Sequence, residues 1–141
     1  MVKIHKIQGD IDSEIVKSLK GSIAIDTEAT GLQIPERDKL SLIQICSQNG
    51  DVYIIQPNRK DYKAPNLVSI LENNKIQKIG HFLRFDKNSL EFFLKCKIKN
   101  FFDTKIASKI VRTYTDAHGL KNLVQEFCNK SLDKRHGSSD W

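Results

Sequence analysis

Hydrophobic residues recur with two different periods along this chain. Residues 40–46 and 51–55 are apolar, rich in β-branched side chains and close to alternating, so both predict strands. Asn49-Gly50 between them predicts a two-residue hairpin turn. Upstream, Ile23-Ala24-Ile25 predicts a buried central strand, and 3–7 a short edge strand that ends in a turn at Gly9-Asp10. A helix is expected over 14–19, capped by Asp12 or Ser13 and stopped by Gly21, with Ile15, Val16 and Leu19 at helical spacing. Residues 33–39 are polar and hold Pro35, which predicts a loop.

From Pro65 onward helical periods alternate with short apolar runs. Pro65 suits the first turn of a helix reaching about residue 73, with Leu67, Val68, Ile70 and Leu71 on its apolar face. A strand is expected over 76–81, then a helix over 84–94 that buries Phe85, Leu90, Phe93 and Leu94. A short strand follows at 98–102. Asp103-Thr104 then caps a helix that turns Ile106, Ala107, Ile110 and Val111 inward. A last helix over 120–129 is expected to bury Leu123, Val124 and Phe127. Strands after residue 75 are reached through helices, so they are expected to run parallel to the central strand. The expected class is therefore α/β, with a mixed sheet, antiparallel meander first and parallel strands after, flanked by helices in one domain over 1–141.

Charge adds a partner class. Lys and Arg number 23 against 17 Asp and Glu, a net +6, which suits a polyanion. The three cysteines, Cys46, Cys96 and Cys128, are far apart and odd in number, which argues against a zinc site or a disulfide framework and predicts reduced, buried thiols. No secretory h-region opens the chain and no run approaches the roughly 20 apolar residues of a membrane span, so no membrane partner and a cytoplasmic location are expected.

The candidate chemistry sits where the central strand ends. Asp26 and Glu28 are two residues apart, so in a strand they project from one face, roughly 6–7 Å apart along the chain. Like charges at the end of an apolar strand are unfavourable unless neutralised, and a hard divalent cation such as Mg²⁺ takes carboxylate oxygens. Asp86 falls in the first turn of the helix after the 76–81 strand. Read alone it is a favourable charge at a helix N-terminus. With that strand parallel and adjacent, it reaches the crevice at the strand ends, where α/β sheets bind ligands.

These residues lie in recognisable motifs. D-T-E-x-T-G-L at 26–32 resembles the first motif of the DEDD superfamily of 3′–5′ exonucleases, and G-H-F-L-R-F-D at 80–86 resembles the second. F-D-T-K-I-A-S at 102–108, H-G-L-K-N-L-V at 118–124 and L-D-K…S-S-D-W at 132–141 resemble the ribonuclease D branch in order and spacing. The resemblance implies a ribonuclease H-like fold. It also implies hydrolysis of phosphodiesters at the 3′ ends of single-stranded RNA or DNA with two divalent ions, Mg²⁺ or Mn²⁺. By the same resemblance Asp26 bridges the ions, Glu28 holds one of them, and Asp86 holds the second in part through water. Thr30, Gly31 and Leu32 seat the terminal nucleotide, with Leu32 against its base, and Arg84 and Lys87 meet phosphates or form a solvated helix face. The family also has a fourth metal-binding aspartate, four residues after a tyrosine, on a helix beyond the S-D-W segment. Neither occurs in the 141 residues, and Tyr114, Asp116 and Asp140 lack the spacing for it. The expectation is an exonuclease domain without its last catalytic helix, with exposed apolar surface near the site. Two alternatives stand beside it: a nucleic-acid-binding or vestigial chain without turnover, and a half-enzyme completed by a second chain.

Overall fold

The computed structural model describes residues 2–133. Its six strands lie in one sheet of order β1-β4-β3-β2-β5-β6. They are β1 Ile4–Gln8, β2 Ser22–Ala29, β3 Leu40–Cys46, β4 Val52–Gln56, β5 Gln77–Gly80 and β6 Phe101–Asp103. The helices are α1 Ser13–Ser18, α2 Pro65–Glu72, α3 Arg84–Leu94, α4 Thr104–Val111 and α5 Leu120–Cys128. β2, β3 and β4 pair antiparallel, whereas β5 runs parallel to β2 and β6 parallel to β5. The mixed α/β sheet predicted from the hydrophobic pattern is therefore the one formed. β1 is an edge strand, parallel to β4.

Three local expectations change. The β3–β4 connection is a three-residue loop: Ser47 faces Asp51 through a backbone bond of 2.9 Å, and Gly50 at φ +89° supplies the left-handed residue that closes it. β6 is shorter than 98–102, because Asn100 turns at φ +51° and Ile98 goes into the core instead of the ladder. Asp12, not Ser13, caps α1, accepting from the Ile15 N–H at 2.8 Å.

Strand alternation divides the sheet into two unlike faces. One carries Ile23, Ile25, Ile43, Ile45 and Ile55, which join Leu67, Ile70 and Leu71 of α2 and Leu90 and Phe93 of α3 in one buried core. The other carries Ala24, Asp26, Gln44, Cys46, Val52 and Ile79, none of them buried. It is open as a hollow of about 610 Å³, flanked by Thr104 of α4 and Leu120 of α5. Lys78, on the core face of β5, is fully buried and donates from Nζ to the carbonyls of Asn73 (2.8 Å) and Ile76 (2.6 Å) where α2 ends. Burial lowers its ammonium to about 8.

The last two helices depart from expectation. Ile106, Ile110, Val111 and Phe127 are exposed, while Leu123 is buried. What joins α4 to α5 is polar: buried Arg112 bonds Ser108 Oγ (2.9 Å), the Ala117 carbonyl (2.8 Å) and the Glu126 carboxylate. All three cysteines are free thiols, but only Cys96 is buried. No helix among the described residues is long and apolar enough to cross a membrane.

Candidate active site

β2 outlasts its parallel neighbour. Pairing with β5 stops at Ala24–Ile79, and β5 ends at Gly80, so the far half of β2 has an edge with no strand beside it. Asp86, from the first turn of α3, fills the gap. Its Oδ1 accepts from the Thr27 N–H at 2.9 Å and from the Thr27 hydroxyl at 2.6 Å. The buried charge thus completes a backbone group that no strand satisfies.

Asp26 and Glu28 flank Thr27 and project from the open face. Burial raises the Asp26 carboxyl, partly offset by a Thr27 backbone hydrogen bond. Glu28 is raised by burial, then by the charges of Asp26 and Asp86. Asp86 is pushed up to about 6, chiefly by burial and further by Asp26, against the bonds from Thr27. The three predicted carboxylates therefore share one electrostatic site. They do not form a ready-made cage: among the described residues no three His, Cys, Asp or Glu side chains converge on one point. The donor set still fits a hard cation, because Mg²⁺ keeps several waters and is usually bound by one or two carboxylates plus substrate phosphates.

Asp103 fixes where Asp86 stands. It caps α4 through the N–H groups of Lys105 (2.8 Å) and Ile106 (3.2 Å), and it accepts from Phe82 N (3.1 Å) and Leu83 N (2.7 Å) just before α3. Burial works upward on its carboxyl, yet these donors hold it below the usual range. One side chain thus ties the starts of two helices together and holds Phe82 at φ +59°. The sequence reading of Asp103 as a cap is correct but incomplete.

The loop after β2 is shaped by two further contacts. The Thr30 N–H and hydroxyl are both taken up by Lys39, at 3.0 and 2.9 Å, so Thr30 closes the loop instead of offering its N–H to a nucleotide. At Gly31 a Cβ would lie 2.4 Å from the Asp38 carboxylate, so any side chain there would displace Asp38 from its bonds to Gln33 and Arg37. Leu32 stands 84 % exposed on a hollow of about 330 Å³ that it shares with Ile34, Phe82, Arg84, Phe85, Asn88 and Ser89. The fold therefore brings Leu32 and Arg84 together. Arg84 makes no ion pair among the described residues, whereas Lys87 is held by Glu91 at 2.8 Å. Phe82 escaped the sequence reading: it is 53 % exposed on the same rim, with Lys105 Nζ 4.2 Å above its ring. A large aromatic two residues before the helix start is its signal. The S-S-D-W segment at 138–141 lies outside the described residues.

Comparison with known proteins agrees with this geometry. The 3′–5′ exonuclease family profile matches residues 8–141. DNA polymerase I of Aquifex aeolicus (strain VF5) is 31% identical over 134 residues, 89% of this chain and 20% of the polymerase, so the chain spans about a fifth of that curated relative. NrnC of Brucella melitensis, solved bound to pGG, is 40% identical with a TM-score of 0.90 over 100% of this chain and 67% of its own. The same protein has been solved with bound Mg²⁺, at 40% identity and a TM-score of 0.88 over 99% of this chain and 67% of its own. Escherichia coli RNase D, 23% identical with a TM-score of 0.77 over 97% of this chain and 36% of its own, shares the ribonuclease H-like fold. With the family profile covering nearly its whole length, the chain belongs to the 3′–5′ exonuclease family.

Proposed function

We propose that this chain binds divalent metal at Asp26, Glu28 and Asp86 and hydrolyses phosphodiesters from the 3′ end of short single-stranded nucleic acid. The observation that carries this reading is the electrostatic union of three carboxylates at the end of β2, beside a hollow edged by exposed Leu32 and Phe82. Asp26, Glu28 and Asp86 would hold the ions, with Glu28 also placed to approach the terminal ribose. Divalent ions held there would supply Lewis-acid activation of the phosphate and of the attacking water. Leu32 and Phe82 cover the faces of a base, Gly31 lets the backbone approach closely, and Arg84 meets a phosphate. The excess of 23 basic over 17 acidic residues supports a polyanionic substrate held with strong salt dependence. The NrnC structure with pGG supports the substrate class, and the one with Mg²⁺ supports the metal.

A second reading, binding without efficient turnover, is favoured by the open sheet face. Asp26 stands on that face beside exposed Ala24 and half-buried Ile79, where a further helix would pack and deliver a fourth carboxylate. Such a helix belongs to additional sequence of the same chain or to a second chain. The experiment is a digest of 5′-labelled oligonucleotide with Mn²⁺, with and without a peptide carrying a relative's terminal helix. A 3′-to-5′ ladder that speeds up with the peptide supports the exonuclease reading. Salt-dependent binding with no cleavage in either arm supports the second.

A further inference from the structure

α3 buries one side and contributes several residues to the hollow beside it. Asp86, Leu90 and Phe93 follow helical spacing into the core and the carboxylate site. Phe85 and Ser89, one turn apart, line the hollow that Leu32 and Phe82 also line, and Ser89 sits on the buried side of the helix. Ser89 is fully buried, and its hydroxyl has no hydrogen-bond partner. A serine inside a helix ordinarily bonds back to the carbonyl four residues earlier. An unpaired buried hydroxyl is unfavourable, so a polar group placed against it is held by at least one net hydrogen bond.

The hollow also has the mixed lining of a ligand site. Its volume of about 330 Å³ is at the small end for ligand pockets, roughly 300–1,000 Å³. Leu32 and Phe82 offer exposed apolar contact, and Ser89, also lining the hollow, offers one directional group. Base–aromatic stacking with a single polar contact to a base edge is how single-stranded nucleotides are held and told apart. Because the hydroxyl is closed off from solvent, a base reaches it only as the rim side chains part. Leu32, 84 % exposed, has little packing to lose when it moves.

We infer that Ser89 is a base-positioning residue: its hydroxyl hydrogen-bonds the edge of a nucleobase lying between Leu32 and Phe82, and so sets the base preference of the site. This rests on the exonuclease reading and adds the element that discriminates between bases. Ser89 touches neither metal nor scissile phosphate, so its removal alters selectivity and leaves the metal site intact.

The test is calorimetric titration with phosphorothioate-linked 5′-phosphorylated dinucleotides of G, A, C and U, and an abasic counterpart, in Mg²⁺. Ser89→Ala should weaken the best base by about 2–10-fold, the range of one net hydrogen bond. It should leave the abasic ligand unchanged and keep the Mg²⁺-induced rise in melting temperature. Its own melting temperature should match or exceed the parent's, since an unpaired hydroxyl has gone. Ser89→Cys, close in shape, supplies the same comparison should the alanine variant fold poorly, and should give an intermediate selectivity. Equal weakening of all ligands, abasic included, would assign Ser89 to packing and overturn the inference. So would unchanged selectivity, which would mean that water satisfies the hydroxyl. Absence of any dinucleotide binding and any Mg²⁺ shift in the parent chain would instead reject the exonuclease reading, and this inference with it.

Discussion

Replacing Asp86 with asparagine isolates the electrostatic strain of the site. The folded chain raises this carboxyl from 3.8 to about 6, so ionising it in the metal-free fold is unfavourable by about 3 kcal/mol at 1.36 kcal/mol per pH unit. The sign follows from proton binding. Between pH 4 and 6 the native state holds the proton more tightly than the unfolded chain, so stability falls as pH rises through that window. By pH 7 the whole penalty is present. Asparagine keeps an acceptor oxygen for the Thr27 N–H and hydroxyl, at 2.9 and 2.6 Å in the parent, and removes the charge. Urea denaturation of both chains in EDTA at half-unit steps from pH 4 to 8 should therefore show Asp86→Asn nearly level with the parent at pH 4. The variant should be more stable by about 2–3 kcal/mol at pH 7. Burial, the largest cause at Asp26 and Glu28, is common to both chains and cancels, while loss of the Asp86 charge also relieves Glu28 and adds to the difference in the same direction. A stability difference that stays constant across this range would refute the electrostatic account of the site. A variant less stable at pH 7 than at pH 4, relative to the parent, would refute the sign.

Other perturbations separate the parts. Saturating Mn²⁺ should stabilise the chain by about 2–3 kcal/mol at a hundredfold excess over its Kd, and Asp26→Asn should remove most of the shift seen by thermal melting. Asp103→Ala strips an acceptor from four backbone N–H groups at 2.7–3.2 Å and should destabilise by about 2–4 kcal/mol, while Asp103→Asn should recover part of that in the same melts. Lys78, lowered to about 8, binds its proton less tightly in the fold than in the unfolded chain. Stability should therefore rise between pH 8 and about 10.5, and Lys78→Met should abolish that rise in urea titrations. Arg84→Ala should weaken oligonucleotide binding for all sequences alike and reduce the salt slope by about one unit, measured by fluorescence anisotropy.

Much of this was legible in the chain because strand alternation reports directly on a two-faced sheet. Ile23-Ala24-Ile25 and the run at 40–46 predicted β2 and β3 at their observed places, and the two-residue spacing of Asp26 and Glu28 placed both on one face. Asp86 was legible through the motif at 80–86 and the parallel topology, but not its role at the Thr27 edge, which appears only once β5 is seen to end early. Hidden features depended on contacts distant in sequence. Lys78 reads as an exposed strand lysine until the carbonyls ending α2 are placed over it. The close packing at Gly31 comes from the Asp38 carboxylate, seven residues on. Helical periodicity marked an apolar stripe at Ile106, Ile110 and Val111, but a stripe says only that something apolar fits it, and these side chains face outward here. The exposed apolar surface anticipated near the site is present, along α4, α5 and the open sheet face.

The central claim is that Asp26, Glu28 and Asp86 hold metal at the end of β2. A crystal of the chain grown with Mn²⁺ and a 5′-nucleoside monophosphate, measured at the manganese edge, tests it most directly. The account predicts anomalous density in contact with Asp26 and within direct or water-bridged reach of Glu28 and Asp86, with the phosphate completing the coordination. An anomalous map in which manganese binds elsewhere, or leaves these three carboxylates without a peak, would contradict it.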